Sequence, residues 1–316
     1  MRLVADIGGT NARFALSPRG GVVEELRVLA VRDYAGPAAA IRAYLGDRRV
    51  ASAVLAVATP VEGDEVAFTN SPWRFSRKAL RAELGLERLL VINDMVAHAA
   101  VLPHLEEEDL RPILRNGACA DRPAAVIAPG TGLGIAMLVP CGPRPLPLPS
   151  EGGHCSFAPA DARERALLAL LEKDREHVSF ERFVSGPGLL LLARALAELD
   201  GRGCPAKTPP EVTALARRAG CPHCAEAVRL FSALLGAFAG DIALTLGARG
   251  GIYLSGGLLL ALDTLFDREA FGERFRAKGR LAWYLARIPV HQVMRADTGL
   301  LGATWYAVEE WAGPAP

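Results

Sequence analysis

Two glycine-rich turns, each set between short apolar runs, constrain this chain more than any other feature. The first reads Asp6-Ile7-Gly8-Gly9-Thr10-Asn11-Ala12-Arg13, and the second Gly130-Thr131-Gly132-Leu133-Gly134. Residues 2–6 and 13–16 flank the first turn as apolar runs, which predicts a β-hairpin. Residues 124–128 and 135–139 flank the second in the same way, so it reads as another copy of the first. Adjacent glycines let a backbone approach a phosphate closely. Successive N–H groups in such a turn form a nest for anions. Asp6, at a strand end, is placed to hold the water shell of a Mg²⁺ ion. The first turn is neither a P-loop nor a G-x-G-x-x-G fingerprint. A third turn, Ser255-Gly256-Gly257, follows a buried strand and would let a base or ribose lie flat on the backbone.

Strand and helix alternate around the first turn. Strands are expected at 22–31, 50–58, 65–69 and 89–92, and a helix at 37–45. Ser76 is expected to cap a helix running to 84, and Asn93-Asp94 to open another running to 102. Residues 106–122 read as a connection, and 140–149, with five prolines, as an extended loop. Helices follow at 162–173, 188–200, 210–219 and 225–247, with strands at 251–254 and 289–294 and a closing helix over 298–311. The length, 316 residues, suggests about two domains.

Charge excludes some classes. With 36 basic and 35 acidic residues the chain carries no field that would steer it onto nucleic acid or an anionic membrane, so neither is expected as a partner. Met1 to Ile7 makes a poor signal peptide, because Asp6 interrupts it. The apolar stretch 231–248 contains Asp241 and several glycines and reads as a core helix. Six cysteines fall well below the density of a disulfide scaffold, and a cytoplasmic location is expected. Cys221-Pro-His-Cys224 reads as a helix-start turn with two reduced thiols. With no second C-x-x-C to complete a ligand set, no structural zinc is expected.

Further motifs stand in a definite order. DIGGTNARFAL begins at Asp6, followed by FTNSPWRFS at 68–76, VIND at 91–94 and PGTGLG at 129–134. SEGGH lies at 150–154, HVSFERFVSGPG at 177–188, YLSGGL at 253–258 and GLLG at 299–302. Together they resemble the bacterial glucokinase family of the sugar kinase/actin/Hsp70 superfamily, over nearly the full length. The resemblance implies a two-lobed α/β fold, actin-like and ribonuclease-H-like, with a duplicated mixed-sheet core. A small domain would comprise 1–104 plus 298–316, and a large domain 105–297.

The implied activity is transfer of the γ-phosphoryl group of ATP to the 6-hydroxyl of D-glucose, with Mg²⁺, at the entry to glycolysis. By the same resemblance Asp94 is the catalytic base and Asn93 binds an adjacent sugar hydroxyl. Glu151, His154 and Glu181 bind hydroxyls across the ring. Ala5, Asp6, Ile7, Gly8, Gly9 and Thr10, joined by Gly130, Thr131 and Gly132, hold the ATP phosphates. Ser255, Gly256 and Gly257 border the adenosine, and a homodimer is expected. Carboxylates, an amide and an imidazole are the side chains that pair with sugar hydroxyls. The chain departs from the family's usual pattern at Pro129, Cys155 and Ser255, none of which is a reacting group. A kinase for another hexose or amino sugar, and a sugar-sensing regulator that does not turn over, are the alternatives. The regulator reading lacks room for a DNA-binding helix-turn-helix ahead of a strand that begins at residue 2.

Overall fold

The structure is a computed structural model. It describes residues 1–117, 119, 121–142 and 144–311, without the side chains of 308–311. The sequence expectations at 118, 120, 143 and 312–316 lie outside the described residues. The chain forms two compact units. One holds 1–106, 138–149 and the segment from Asp297 onward; the other holds 107–137 and 150–296. The division differs from the sequence boundaries mainly in placing 138–149 with the first unit.

The first unit contains β1 (Arg2–Ile7), β2 (Asn11–Ser17), β3 (Glu24–Ala30), α1 (Pro37–Leu45) and β4 (Ser52–Val57). It continues with β5 (Glu65–Ala67), β6 (Arg74–Ser76), α2 (Arg77–Glu83), β7 (Arg88–Asn93) and α3 (Asp94–Ala100). Its sheet runs β3-β2-β1-β4-β7. β1 and β2 pair antiparallel as the expected hairpin, while β1, β4 and β7 are parallel. Central parallel strands are covered on both faces, which is why 3–5 of β1 and 53–57 of β4 are continuous apolar runs. Leu3, Ala5 and Ile7 enter one core cluster and Val4 the opposite one; Leu55 and Val54 divide in the same way.

The chain continues through β8 (Leu110–Leu114), β9 (Ala124–Pro129), β10 (Leu133–Val139), β11 (Leu146–Ser150), α4 (Ala162–Glu172) and α5 (Gly186–Leu199). Then come α6 (Pro209–Arg217), α7 (Pro222–Leu246), β12 (Gly251–Leu254), α8 (Gly257–Leu262), α9 (Arg268–Arg276), α10 (Ala282–Leu285) and β13 (Val290–Val293). The second large sheet runs β11-β10-β9-β12-β13-β8. Its first five positions match β3-β2-β1-β4-β7 one for one, and β9, β12 and β13 are parallel, as β1, β4 and β7 are.

Three strands correct the sequence reading, one of them β6, which pairs antiparallel with β5 just before the helix that Ser76 caps. β11 occupies part of the proline-rich stretch expected to be loop. It lies at a sheet edge, where Pro147 and Pro149 need not donate to a neighbour on both sides. β8 lies inside the expected connection 106–122. It pairs antiparallel with β13 at the other edge, and Pro112 sits opposite His291, beside a shift of register.

α7 is long and apolar enough to cross a membrane, yet 83% of its most apolar window is buried inside the protein. Its burial against α5 and α9 explains an apolar surface on all sides. α11 (Thr298–Trp311) belongs to the first unit and packs on α3 and β1. The two helices meet so closely at Gly302 that a Cβ there would lie 1.7 Å from the carbonyl oxygen of Ala97. A backbone atom cannot rotate aside. Gly302→Ala is therefore expected to cost about 3 kcal/mol, the upper end of the usual overpacking range. A urea midpoint unchanged from the parent would contradict this contact.

Candidate active site

The parallel register aligns the C-terminal ends of three strands. Ile7 pairs with Val57, and Val57 with Asn93. The turn after β1 and the Asn93-Asp94 junction after β7 thus leave the same edge of the sheet, where open α/β sheets bind ligands. Asn93 caps α3 by accepting a hydrogen bond from the Met95 N–H at 2.9 Å. Its amide donates to the Thr59 carbonyl at 3.3 Å. One amide N–H and one oxygen lone pair remain available by the chemistry of the group. Asp94 is the first residue of α3, and its Oδ1 also accepts from the Met95 N–H, at 2.9 Å. The cap is thus already supplied by Asn93.

The turn Gly8–Thr10 is closed by a hydrogen bond from the Gly8 N–H to the Asn11 carbonyl, 3.0 Å. A Cβ on Gly9 would fall 2.7 Å from the backbone oxygen of Asn70, so this position needs glycine. Asn70 belongs to a loop pinned by two aromatic side chains. Phe68 and Trp73 are buried in edge-to-face contact, and the Trp73 indole N–H donates to the Tyr34 carbonyl at 2.9 Å. Sequence reasoning gave this loop no part in the site; its aromatic flanks were the available signal. Asp6 pairs with Arg13 across the hairpin at 2.9 Å. The Asp6 carboxylate also lies against Gly299, where a Cβ would come 3.1 Å from its carboxyl carbon.

Asp6 fits the expected role toward Mg²⁺ in one respect. It offers a carboxylate at the strand end beside the Gly8–Thr10 turn, and one of its oxygens is engaged by Arg13. Among the described residues no cluster of three ligand groups gathers there. A single carboxylate suits Mg²⁺, which keeps several waters and is commonly shared with substrate phosphates.

Behind Asp94, His98 of α3 lies 3.0 Å from the Thr298 hydroxyl of α11, Nδ1 to Oγ1. Desolvation by burial holds the His98 imidazole below its usual value, against the pull of Asp6 and assisted by Arg13. A folded histidine of depressed pKa binds fewer protons than the unfolded one. Stability is therefore complete above about pH 6.5 and declines as pH falls below it. The expected result is a melting temperature that drops between pH 7.5 and pH 5.5, and drops less in His98→Gln. Equal drops would remove His98 from the account.

The second unit gathers its own candidates. The Gly130 N–H donates to the Gly132 carbonyl at 2.8 Å, and the Gly186 N–H donates to the Gly130 carbonyl at 2.7 Å. α5 therefore starts beside this turn. Ser185 caps it, accepting from the Gly188 N–H at 3.0 Å. The expected start at 188 was two residues late, although Ser before Gly-Pro is a readable cap signal. Glu181 accepts from the Leu133 N–H at 2.9 Å, and its Oε2 lies 3.9 Å from His154 Nε2. A Cβ on Gly132 would come 2.5 Å from that same Oε2. The segments bearing His154 and Glu181 are tied by a bridge between Ser156 and Ser179 and by the Phe180 N–H donating to the Cys155 carbonyl at 3.0 Å. Glu151 and His154 are exposed. Ser255 is buried, and its N–H donates to the Ile127 carbonyl at 2.9 Å. Gly256 has φ +110°, and a Cβ there would lie 3.1 Å from the Pro129 oxygen. The Ser255–Gly257 turn thus stands at the end of β12, next to the end of β9.

A family model for glucokinases matches residues 3–310. A glucokinase of Aromatoleum aromaticum is 47% identical over 96% of this chain and 93% of its own. One from Chromobacterium violaceum is 44% identical over 100% of this chain and 92% of its own. Among solved structures, a glucokinase from an Antarctic psychrotroph superposes with TM-score 0.84 at 35% identity, covering 96% of this chain and 98% of the other. A glucokinase from Balamuthia mandrillaris, solved in complex with glucose, shares the fold with TM-score 0.83 at 21% identity, covering 97% and 93%. The match of family, length and strand-end motifs has one outcome: the chain belongs to the glucokinase family.

Proposed function

We propose that this enzyme phosphorylates the 6-hydroxyl of D-glucose with ATP, and that Asp94 accepts the hydroxyl proton. As the proton moves to the carboxylate, the sugar oxygen bonds to the γ-phosphorus. The bond from that phosphorus to the β,γ-bridging oxygen breaks, and ADP leaves. The observation that carries this reading is the alignment of Ile7, Val57 and Asn93, which puts the Gly8–Thr10 turn and Asp94 at one edge of one sheet.

Phosphoryl transfer depends on positioning and charge neutralisation. Asn93, held by Thr59 and Met95, orients a neighbouring hydroxyl. Glu151, His154 and Glu181 are assigned by resemblance to other hydroxyls of the same sugar. The segments Ala5 to Thr10 and Gly130 to Gly132 hold the phosphates, with Ser255 to Gly257 beside the adenosine. Mg²⁺ arriving with the nucleotide would neutralise phosphate charge, and Asp6 would hold its water shell. In this reading the two units are the lobes of an actin-like ATPase, which works in the cytoplasm as a homodimer. Six free thiols accord with a reducing compartment.

The test is ADP release measured with glucose, mannose, fructose and N-acetylglucosamine in turn. Release with glucose alone is expected. Release with another sugar alone would reassign the substrate, and glucose binding without release would make the protein a sensor.

A further inference from the structure

Three thiols converge at the far end of α5 from the Gly130 turn. Cys221 caps α7, Cys224 lies in its first turn, and Cys204 arrives from the loop between α5 and α6. Their sulfurs all lie within 4.8 Å of one another, the single such ligand cluster among the described residues. The sequence spacing supplies two of these thiols; the fold adds the third.

The cluster is built into packed structure. Cys221 and Cys224 are 4% and 0% exposed, and Cys204 is half-buried against the same core. The Cys224 N–H donates to Cys221 Sγ at 3.4 Å, as the α7 cap. The loop carrying Cys204 is fixed on both sides. Arg194 donates to the Ala206 carbonyl at 3.3 Å, and Ala206 is buried. Asp200 receives His223 Nε2 at 3.0 Å and both Nη groups of Arg163, at 2.7 and 3.1 Å.

A tetrahedral zinc with Zn–S bonds of about 2.3 Å holds its sulfurs about 3.8 Å apart. Small side-chain rotations bring three sulfurs within 4.8 Å to that spacing. Soft thiolates select a thiophilic ion over Mg²⁺ or Ca²⁺. We propose that Cys204, Cys221 and Cys224 bind one Zn²⁺ ion, with water in the fourth position on the half-buried Cys204 side. The ion enters, three thiol protons leave to solvent, and no electron is transferred. It would staple the α5–α6 loop to the start of α7. The Glu181 and Gly130 contacts lie at the opposite end of α5, a helix of 14 residues spanning about 21 Å. The site is thus separate from the Glu181 and Gly130 contacts and independent of the sugar assignment.

The test uses the full chain, reduced and stripped with a chelator, then titrated with Zn²⁺ against a chromophoric competitor. One tightly held equivalent per chain and a higher melting temperature are expected. Cobalt in place of zinc should give an intense thiolate-to-metal charge-transfer band. Cys204→Ser should weaken zinc binding at least 10- to 100-fold. The combined Cys119→Ser, Cys141→Ser and Cys155→Ser chain should bind like the parent, and serves as the folded control if Cys204→Ser fails to fold. Substoichiometric zinc, equal binding by Cys204→Ser, loss of binding in the triple variant, or a disulfide among the three thiols in freshly isolated protein would overturn the site.

Discussion

Asp94→Asn should lower kcat by about 10² to 10⁴ while leaving the KM for glucose nearly unchanged. The amide has the size of the carboxylate and keeps an oxygen for the Met95 N–H, which Asp94 Oδ1 accepts at 2.9 Å. It cannot take the hydroxyl proton. Structure should survive, since Asn93 already provides the cap. Removing one negative charge from the first turn of a helix costs only about 0.3–1 kcal/mol. Stopped assays and thermal melts on the same preparation separate the two effects. A fall below tenfold in kcat would show that Asp94 does not act as the base. A large fall in melting temperature would show a structural role instead.

The largest stability effect should come from Arg274→Met. Glu164 on α4 is fully buried, an unusual place for a carboxylate. It accepts from the Ala160 N–H at 2.7 Å and is clasped by Arg274 of α9, through Nη1 and through Nη2 at 3.2 Å. Removing the guanidinium leaves a buried charge unpaired, which costs about 3–5 kcal/mol. Pairing the change with Glu164→Gln should recover much of the loss, because the charge is then gone too. Urea unfolding of the parent, both single variants and the double variant measures the cycle. A loss under 1 kcal/mol in Arg274→Met would mean that water or another group reaches Glu164.

The sequence made the hairpins and the β7 strand end legible for a physical reason. β1 and β4 are buried on both faces and show continuous apolar runs, and Asn93 is a strong cap at an abrupt change of period. Edge strands carry a weaker signal. β8 is half-buried throughout and β11 contains two prolines, so neither announces itself against turn chemistry. The candidate site divides in the same way. Gly9 and Gly132 were visible as glycines, but their reasons, the Asn70 backbone and the Glu181 carboxylate, are contacts across long sequence separations. The pairing of Glu164 with Arg274, and the arrival of Cys204 beside Cys221 and Cys224, depend on tertiary packing that no spacing rule encodes.

The placement of α11 has a consequence for the order in which the protein is made. Leu300, Ala303 and Ala307 complete a core with Val4, Val54, Ile92 and Val96. Those partners leave the ribosome early, whereas α11 is translated after every other described element. Until it emerges, the face of the β1-β4-β7 sheet that it shares with α3 stays partly uncovered, exposing apolar surface that chaperones recognise. The second unit can complete its core meanwhile, so the nascent enzyme closes the core beneath its Asn93-Asp94 junction last.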